Sequence, residues 1–198
     1  VEMINDDFNK EDLLTEISAM EAIISNLLDS EAINYGHKKL NLETFSLKES
    51  IKKVIENSAF LKEKEFGPNG LIVGADIDDV SIEADQILIE VTLKNILENA
   101  ARFSSLDKSI IEVSLEKYDE SSIQISIRDY GPGFSKEEIE KVTEPFYRTS
   151  KSRSRESGGF GLGLYLCKQI ILAHQGLLLI SNHEVKGAVV SIQLPIEQ

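Results

Sequence analysis

Residues 123–133 read Ile123-Gln-Ile-Ser-Ile-Arg-Asp129-Tyr-Gly-Pro-Gly133. Isoleucine at every second position marks a strand with one buried face. The aspartate, glycines and proline that follow end it in a tight turn, which holds the Asp129 carboxylate at the end of a sheet. A carboxylate held there can accept a hydrogen bond from an exocyclic amine such as that of adenine, while Gly131 and Gly133 let a ring lie close to the backbone. An ordinary D-x-G-x-G turn has the same letters, so the decision rests on what flanks it.

Working outward, Ile111, Val113 and Leu115 alternate in the same way and are separated from the first strand by a turn at 119–121, so the two runs predict a β-hairpin. Upstream, residues 83–103 have helical spacing, with Ile89, Leu93, Ile96, Leu97 and Ala100 on one side. Asn95 and Asn99 lie four apart on another side, with Arg102 one turn further. An amide oxygen is a suitable ligand for Mg²⁺, which takes one or two protein ligands and fills its shell with water and phosphate oxygens. A solvated helix face would carry the same residues.

Downstream, Ser157-Gly-Gly-Phe-Gly-Leu-Gly163 precedes a helix over 162–174, an arrangement whose backbone N–H groups can cradle phosphates. It lacks the spacing of a P-loop, and no apolar strand leads into it as a dinucleotide-binding turn requires. Arg148, Lys151, Arg153 and Arg155 crowd just before it in a chain whose 34 acids and 21 bases give a net charge of −13. A polyphosphate approaching such a chain needs local positive charge, whereas nucleic acid and anionic membrane are disfavoured as partners.

The rest of the chain completes one domain with an appendage. Residues 46–60 are helical in spacing, 71–77 extended, and 177–180 with 188–194 form a second strand pair around Gly187. Helices alternating with antiparallel hairpins predict an α+β fold: a two-layer sandwich whose mixed, mostly antiparallel sheet is covered on one face by helices. Before it, Leu13, Ile17, Met20, Ile24, Leu27 and Leu28 form an apolar helical stripe, and Gly36 is a plausible helix stop. The lone Cys167 reads as a core thiol, as expected of a chain kept in a reducing compartment. No apolar run approaches the roughly 20 residues that span a bilayer, so the expected location is cytoplasmic.

The order N-x-x-x-N helix, strand ending in D-x-G-x-G, Glu144-Pro-Phe-Tyr-Arg148, then Gly158-Gly-Phe-Gly-Leu-Gly-Leu164 resembles the catalytic domain of sensor histidine kinases. That domain belongs to the ATPase superfamily shared with gyrase, Hsp90 and MutL. The resemblance runs from about residue 40 to the end and implies the Bergerat ATP-binding fold. It implies that residues 40–198 bind ATP and Mg²⁺, with Asn99 as the metal ligand and Asn99, Arg102 and Arg148 acting on the phosphates. Arg102 stands where the family usually has lysine. Asp129, Gly131 and Gly133 would hold adenine, Phe146 would anchor a lid, and Gly159, Gly161 and Gly163 would form the phosphate loop. Asn95, Phe103, Tyr147, Lys151, Phe160, Leu162 and Leu164 complete the expected nucleotide contacts. Gln175 replaces a glycine that commonly follows the histidine at His174.

By the same resemblance, residues 1–39 are the C-terminal part of the dimerisation and histidine phosphotransfer hairpin with its linker. The first helix of that hairpin should carry H-E-[LI]-[RK]-T-P. None of His37, His174 or His183 is followed by that pattern, so each reads as structural or surface. The implied function is transfer of the ATP γ-phosphoryl group to a histidine outside this chain, on its own protein or a dimer partner. The resemblance also implies relay to a response regulator aspartate by a complete protein that is a homodimer, and it allows an inner-membrane sensor. The gyrase and Hsp90 branch hydrolyses ATP with a glutamate where Asn95 stands, and Glu98 lies off the Asn95–Asn99 line. The remaining alternative is a degenerate nucleotide or partner-docking module acting through the Leu13–Leu28 stripe.

Overall fold

The computed structural model describes residues 39–63, 71–73, 80–104, 111–149 and 160–198. The apolar stripe at 13–28, Gly36 and His37, and the expected site residues Lys151 and Gly159 lie outside them.

The chain order is β1 (Glu43–Ser46), α1 (Leu47–Asn57), α2 (Ala59–Glu63), β2 (Leu71–Val73), β3 (Ser81–Ala84), α3 (Gln86–Phe103), β4 (Ile111–Lys117), β5 (Ser122–Arg128), α4 (Lys136–Lys141), α5 (Gly163–Ala173), β6 (Leu177–Asn182) and β7 (Ala188–Pro195). Five strands form one sheet in the order β2-β4-β5-β7-β6; β2 runs parallel to β4 and the other pairs are antiparallel. The expected hairpins are present, with Val113 opposite Ile127 and Ile125 opposite Ile192. The sheet is therefore mixed and mostly antiparallel, as the sequence predicts.

Alternation along the strands separates the two faces. Ile111, Val113, Ile123, Ile125, Ile127, Ile192 and Leu194 are buried in one core with Leu47 and Ile51 of α1, Leu93, Ile96 and Leu97 of α3, and Cys167 and Ile171 of α5. The intervening residues make polar contacts on the other face: Gln193 Nε2 donates to Gln124 Oε1 at 2.9 Å, and the Ser126 and Ser191 hydroxyls lie 2.9 Å apart. Among the described residues, helices thus cover one side only. Cys167 is part of this core, and burial pushes its thiol up to about 12, so it stays protonated and inert.

Three boundaries differ from the sequence reading. Residues 81–84 are a strand rather than the start of the long helix, because they pair with β1, Ile82 opposite Phe45. The helix starts after Asp85, whose Oδ1 accepts from Leu88 N at 3.2 Å as an N-cap. The helical run 46–60 divides at Ser58, whose backbone closes α1 while its hydroxyl donates to Glu98 Oε1 and accepts from Leu61 N. Finally, the charged stretch after Gly133 contains α4, which has no buried residue but carries a capping box between Ser135 and Glu138.

Candidate nucleotide site

A cavity of about 290 Å³ opens between α3, the turn after β5, the segment after α4 and the start of α5. Asn95, Asn99, Arg102 and Phe103 line it from α3; Asp129 and Gly133 from the turn; Tyr147 and Arg148 from the segment after α4; and residues 160–164 from the beginning of α5. These are most of the residues singled out from the sequence, brought together from four stretches of chain.

The two asparagines are half-buried. Asn95 Nδ2 donates to Val91 O at 3.1 Å, which occupies the nitrogen end of the amide with its own helix. The oxygen end faces α5: a Cβ on Gly163 would lie 3.2 Å from Asn95 Oδ1 and 3.8 Å from Asn99 Nδ2. Glycine at the first position of α5 lets that helix N-terminus approach both amides. Arg102 also stacks over Phe60 of α2, 5.3 Å from the ring centroid.

Asp129 is held from both sides. Its Oδ1 accepts from Gly131 N at 2.8 Å and from Ala188 N at 3.0 Å, and its own N–H donates to Ala188 O at 3.0 Å. Both side-chain bonds use one oxygen, leaving Oδ2 without a bond among the described residues. Burial pushes the carboxyl upward, while the two backbone N–H groups and the Arg128 charge oppose that rise. Tyr130 braces the turn: its ring lies under Arg128 at 4.3 Å, and its hydroxyl donates to Glu112.

Two of the expected residues that are described do not line the cavity. Gly131 is buried below it, where a Cβ would come within 2.4 Å of Phe103 O, so its contribution is the N–H given to Asp129 and the close passage of two backbones. Phe146 is 58% exposed. It sits at φ 63°, and its N–H donates to Gly161 O at 3.0 Å, while Gly161 at φ 73° packs against Tyr147 O. The backbone at 146–147 is thereby joined to Gly161.

The sequence reading missed the apolar wall. Ile96, Ala100, Ile127, Val142, Ala188 and Val190 line the cavity together with Pro132, Phe134 and Thr149. Ile127 and Val190 were legible as inward strand positions, but only strand pairing puts them below the site. Glu98 reaches the rim, with its carboxylate taking the Ser58 hydroxyl at 2.8 Å.

His174 is fully buried, and both ring nitrogens are engaged: Nε2 accepts from Asp85 N at 3.0 Å, so Nδ1 carries the proton that it donates to Ile170 O at 2.8 Å. It is a structural residue, as the sequence reading has it. His183 Nδ1 accepts from Val185 N within its own turn.

Residues 84–198 match the family of histidine kinase-, DNA gyrase B- and HSP90-like ATPases. The chain belongs to this family. The matched span begins at the end of β3 and contains every described wall of the cavity, so the cavity lies wholly within the ATPase domain. The chain is 29% identical over 184 residues to the sensor histidine kinase WalK of Bacillus subtilis, a match covering 92% of this chain and 30% of WalK. It is 33% identical over 182 residues to the sensor histidine kinase CpxA of Escherichia coli, covering 92% of this chain and 38% of CpxA. It therefore spans about a third of the length of these relatives. The structure of the histidine kinase ThkA in complex with response regulator protein TrrA superposes with a TM-score of 0.71 at 25% identity, covering 99% of this chain and 53% of that one. No helix among the described residues is long and apolar enough to cross a membrane.

Proposed function

We propose that this ATPase domain binds Mg-ATP and passes the γ-phosphoryl group to a histidine on a helix outside this chain, for relay to a response regulator. The observation that carries the reading is the convergence on one cavity of Asp129, the Asn95–Asn99 face, Arg102, Arg148 and the N-terminus of α5. Each matches a different part of ATP. The open Oδ2 of Asp129 suits the adenine amine, and the apolar wall at Ile96, Ile127 and Val190 suits the ring. Arg102, Arg148 and the α5 N–H groups suit the phosphates.

The residues present also fit a hard divalent ion. Asn99 lines the cavity one turn from Arg102, and its side-chain amide offers a hard oxygen of the kind Mg²⁺ accepts beside phosphate oxygens and water. Asn99 would hold it, and bound Mg²⁺ would neutralise charge on the phosphate oxygens. Phosphoryl transfer demands positioning and charge neutralisation more than covalent chemistry, and these side chains supply position and charge without a nucleophile. Asn95 in place of a carboxylate, and Glu98 turned to Ser58, argue against hydrolysis by activated water.

In this reading residues 1–39 are the end of the phosphotransfer hairpin and its linker, and 40–198 the catalytic domain. The similarity to WalK and CpxA, which extends over 92% of the chain, supports that division. The domain acts in the cytoplasm, within a homodimer, and the ThkA complex with a response regulator supports the relay.

Calorimetry with a nonhydrolysable ATP analogue, with and without Mg²⁺, is the first test. Mg-dependent binding is expected, followed by labelling of a histidine from γ-labelled ATP when a helix carrying H-E-[LI]-[RK]-T-P is supplied. A chain that binds no analogue would instead favour a degenerate, partner-docking module.

A further inference from the structure

The β6–β7 hairpin lines the cavity at Ala188 and Val190, and through Asn182 it also reaches the turn after β5 from outside the cavity. At the end of β6 the Asn182 side chain answers both backbone groups of one distant residue: Phe134 N–H donates to Asn182 Oδ1 at 2.8 Å, and Asn182 Nδ2 donates to Phe134 O at 2.6 Å. An amide used in this way takes the place of a neighbouring strand for a segment that has none. Among the described residues no other hydrogen bond holds the backbone of 132–134. Gly133 and Phe134 both line the cavity. Gly133 lies at φ 65°, and a Cβ there would come within 2.6 Å of Asn182 Oδ1, so the close approach depends on glycine.

Five residues earlier, the same hairpin holds Asp129 through Ala188. Gly187 makes that possible, since a Cβ on it would lie 1.8 Å from Asp129 O. The hairpin therefore grips the turn after β5 at both ends, through Ala188 at Asp129 and through Asn182 at Phe134. Remove the second grip, and Phe134 N–H and C=O turn to water while the Gly133–Phe134 wall is tied only through its chain neighbours.

We propose that Asn182 is a positioning residue for nucleotide binding, setting the place of the Gly133–Phe134 wall from outside the cavity. This rests on the nucleotide reading above. The test measures calorimetric affinity for AMP-PNP with Mg²⁺ in the unsubstituted chain, Asn182→Ala and Val185→Ala. Val185 lies on the same hairpin, 84% exposed, and serves as the control. Thermal unfolding of each protein and hydrogen exchange at the Phe134 amide are measured alongside.

Asn182→Ala is expected to weaken AMP-PNP by about tenfold at a temperature where it is fully folded, and to speed exchange at Phe134. Val185→Ala should change neither. If Asn182→Ala does not fold, Asn182→Ser, whose shorter hydroxyl cannot serve both groups, is read in its place. Unchanged affinity in a folded Asn182 variant, with or without a lowered Tm, overturns the positioning role while leaving the nucleotide reading intact. Failure of the unsubstituted chain to bind AMP-PNP overturns both.

Discussion

The two oxygens of Asp129 do different work: Oδ1 accepts two backbone N–H groups, and Oδ2 faces no described donor. Asp129→Asn can keep the first arrangement through its amide oxygen but presents an amine where a ligand amine must approach. Analogue affinity should fall on the order of a hundredfold with little change in Tm, and calorimetry beside thermal unfolding separates the two. Equal affinity would remove Asp129 from base recognition. Gln175 makes a different statement. It closes α5 in the left-handed conformation at φ 55°, with Gly176 N bonded to Ile171 O and Gln175 N to Leu172 O, the two bonds of a Schellman ending. A non-glycine residue pays for that conformation, so Gln175→Gly should stabilise the domain by about 0.5–1 kcal/mol, read as a raised denaturation midpoint. The substitution of glycine by Gln175 was visible in the sequence; the positive φ that gives it an energetic meaning was not.

Asp85 shows how an element boundary is decided by contacts from elsewhere. The sequence periodicity runs without interruption from 83 to 103, yet the helix cannot include Glu83, because Glu83 N donates to Ile196 O and its strand pairs with β1. Asp85 then ends the strand and caps the helix, its Oδ1 taking Leu88 N and its Oδ2 taking Asn41 N. Asp85→Ala leaves both N–H groups without that partner and should cost about 2 kcal/mol, measured by chemical denaturation. A loss within error would mean that water replaces the cap. The hairpins, by contrast, were legible to within a residue or two, because period-two alternation and turn residues act locally. The α4 helix went unread because it has no buried stripe, and its capping box is the one local signal that could have found it.

Across the whole molecule, His174 joins the end of α5 to the start of α3 and takes the Gln198 side chain on its carbonyl. Burial lowers its pKa, more than its bond to Ile170 and the Asp85 charge raise it. The folded state therefore resists protonation that the unfolded chain accepts near the ordinary imidazole value of about 6.5. Stability from this group is complete above that pH and is lost as pH falls towards the folded value, at up to about 1.4 kcal/mol per unit. Unfolding titrations of the chain and of His174→Gln check this, and equal pH slopes below 6.5 would exclude it. Local rules acting on side-chain order determined the strands, the long helices, the Asp129 turn and the positions of the glycines and asparagines. Periodicity and turn chemistry need only near neighbours in sequence. Tertiary structure decided the strand at 81–84, the apolar wall of the cavity and the hold of Asn182 on Phe134. Those depend on which segments pack together across 35 or more residues, and no local pattern records that choice.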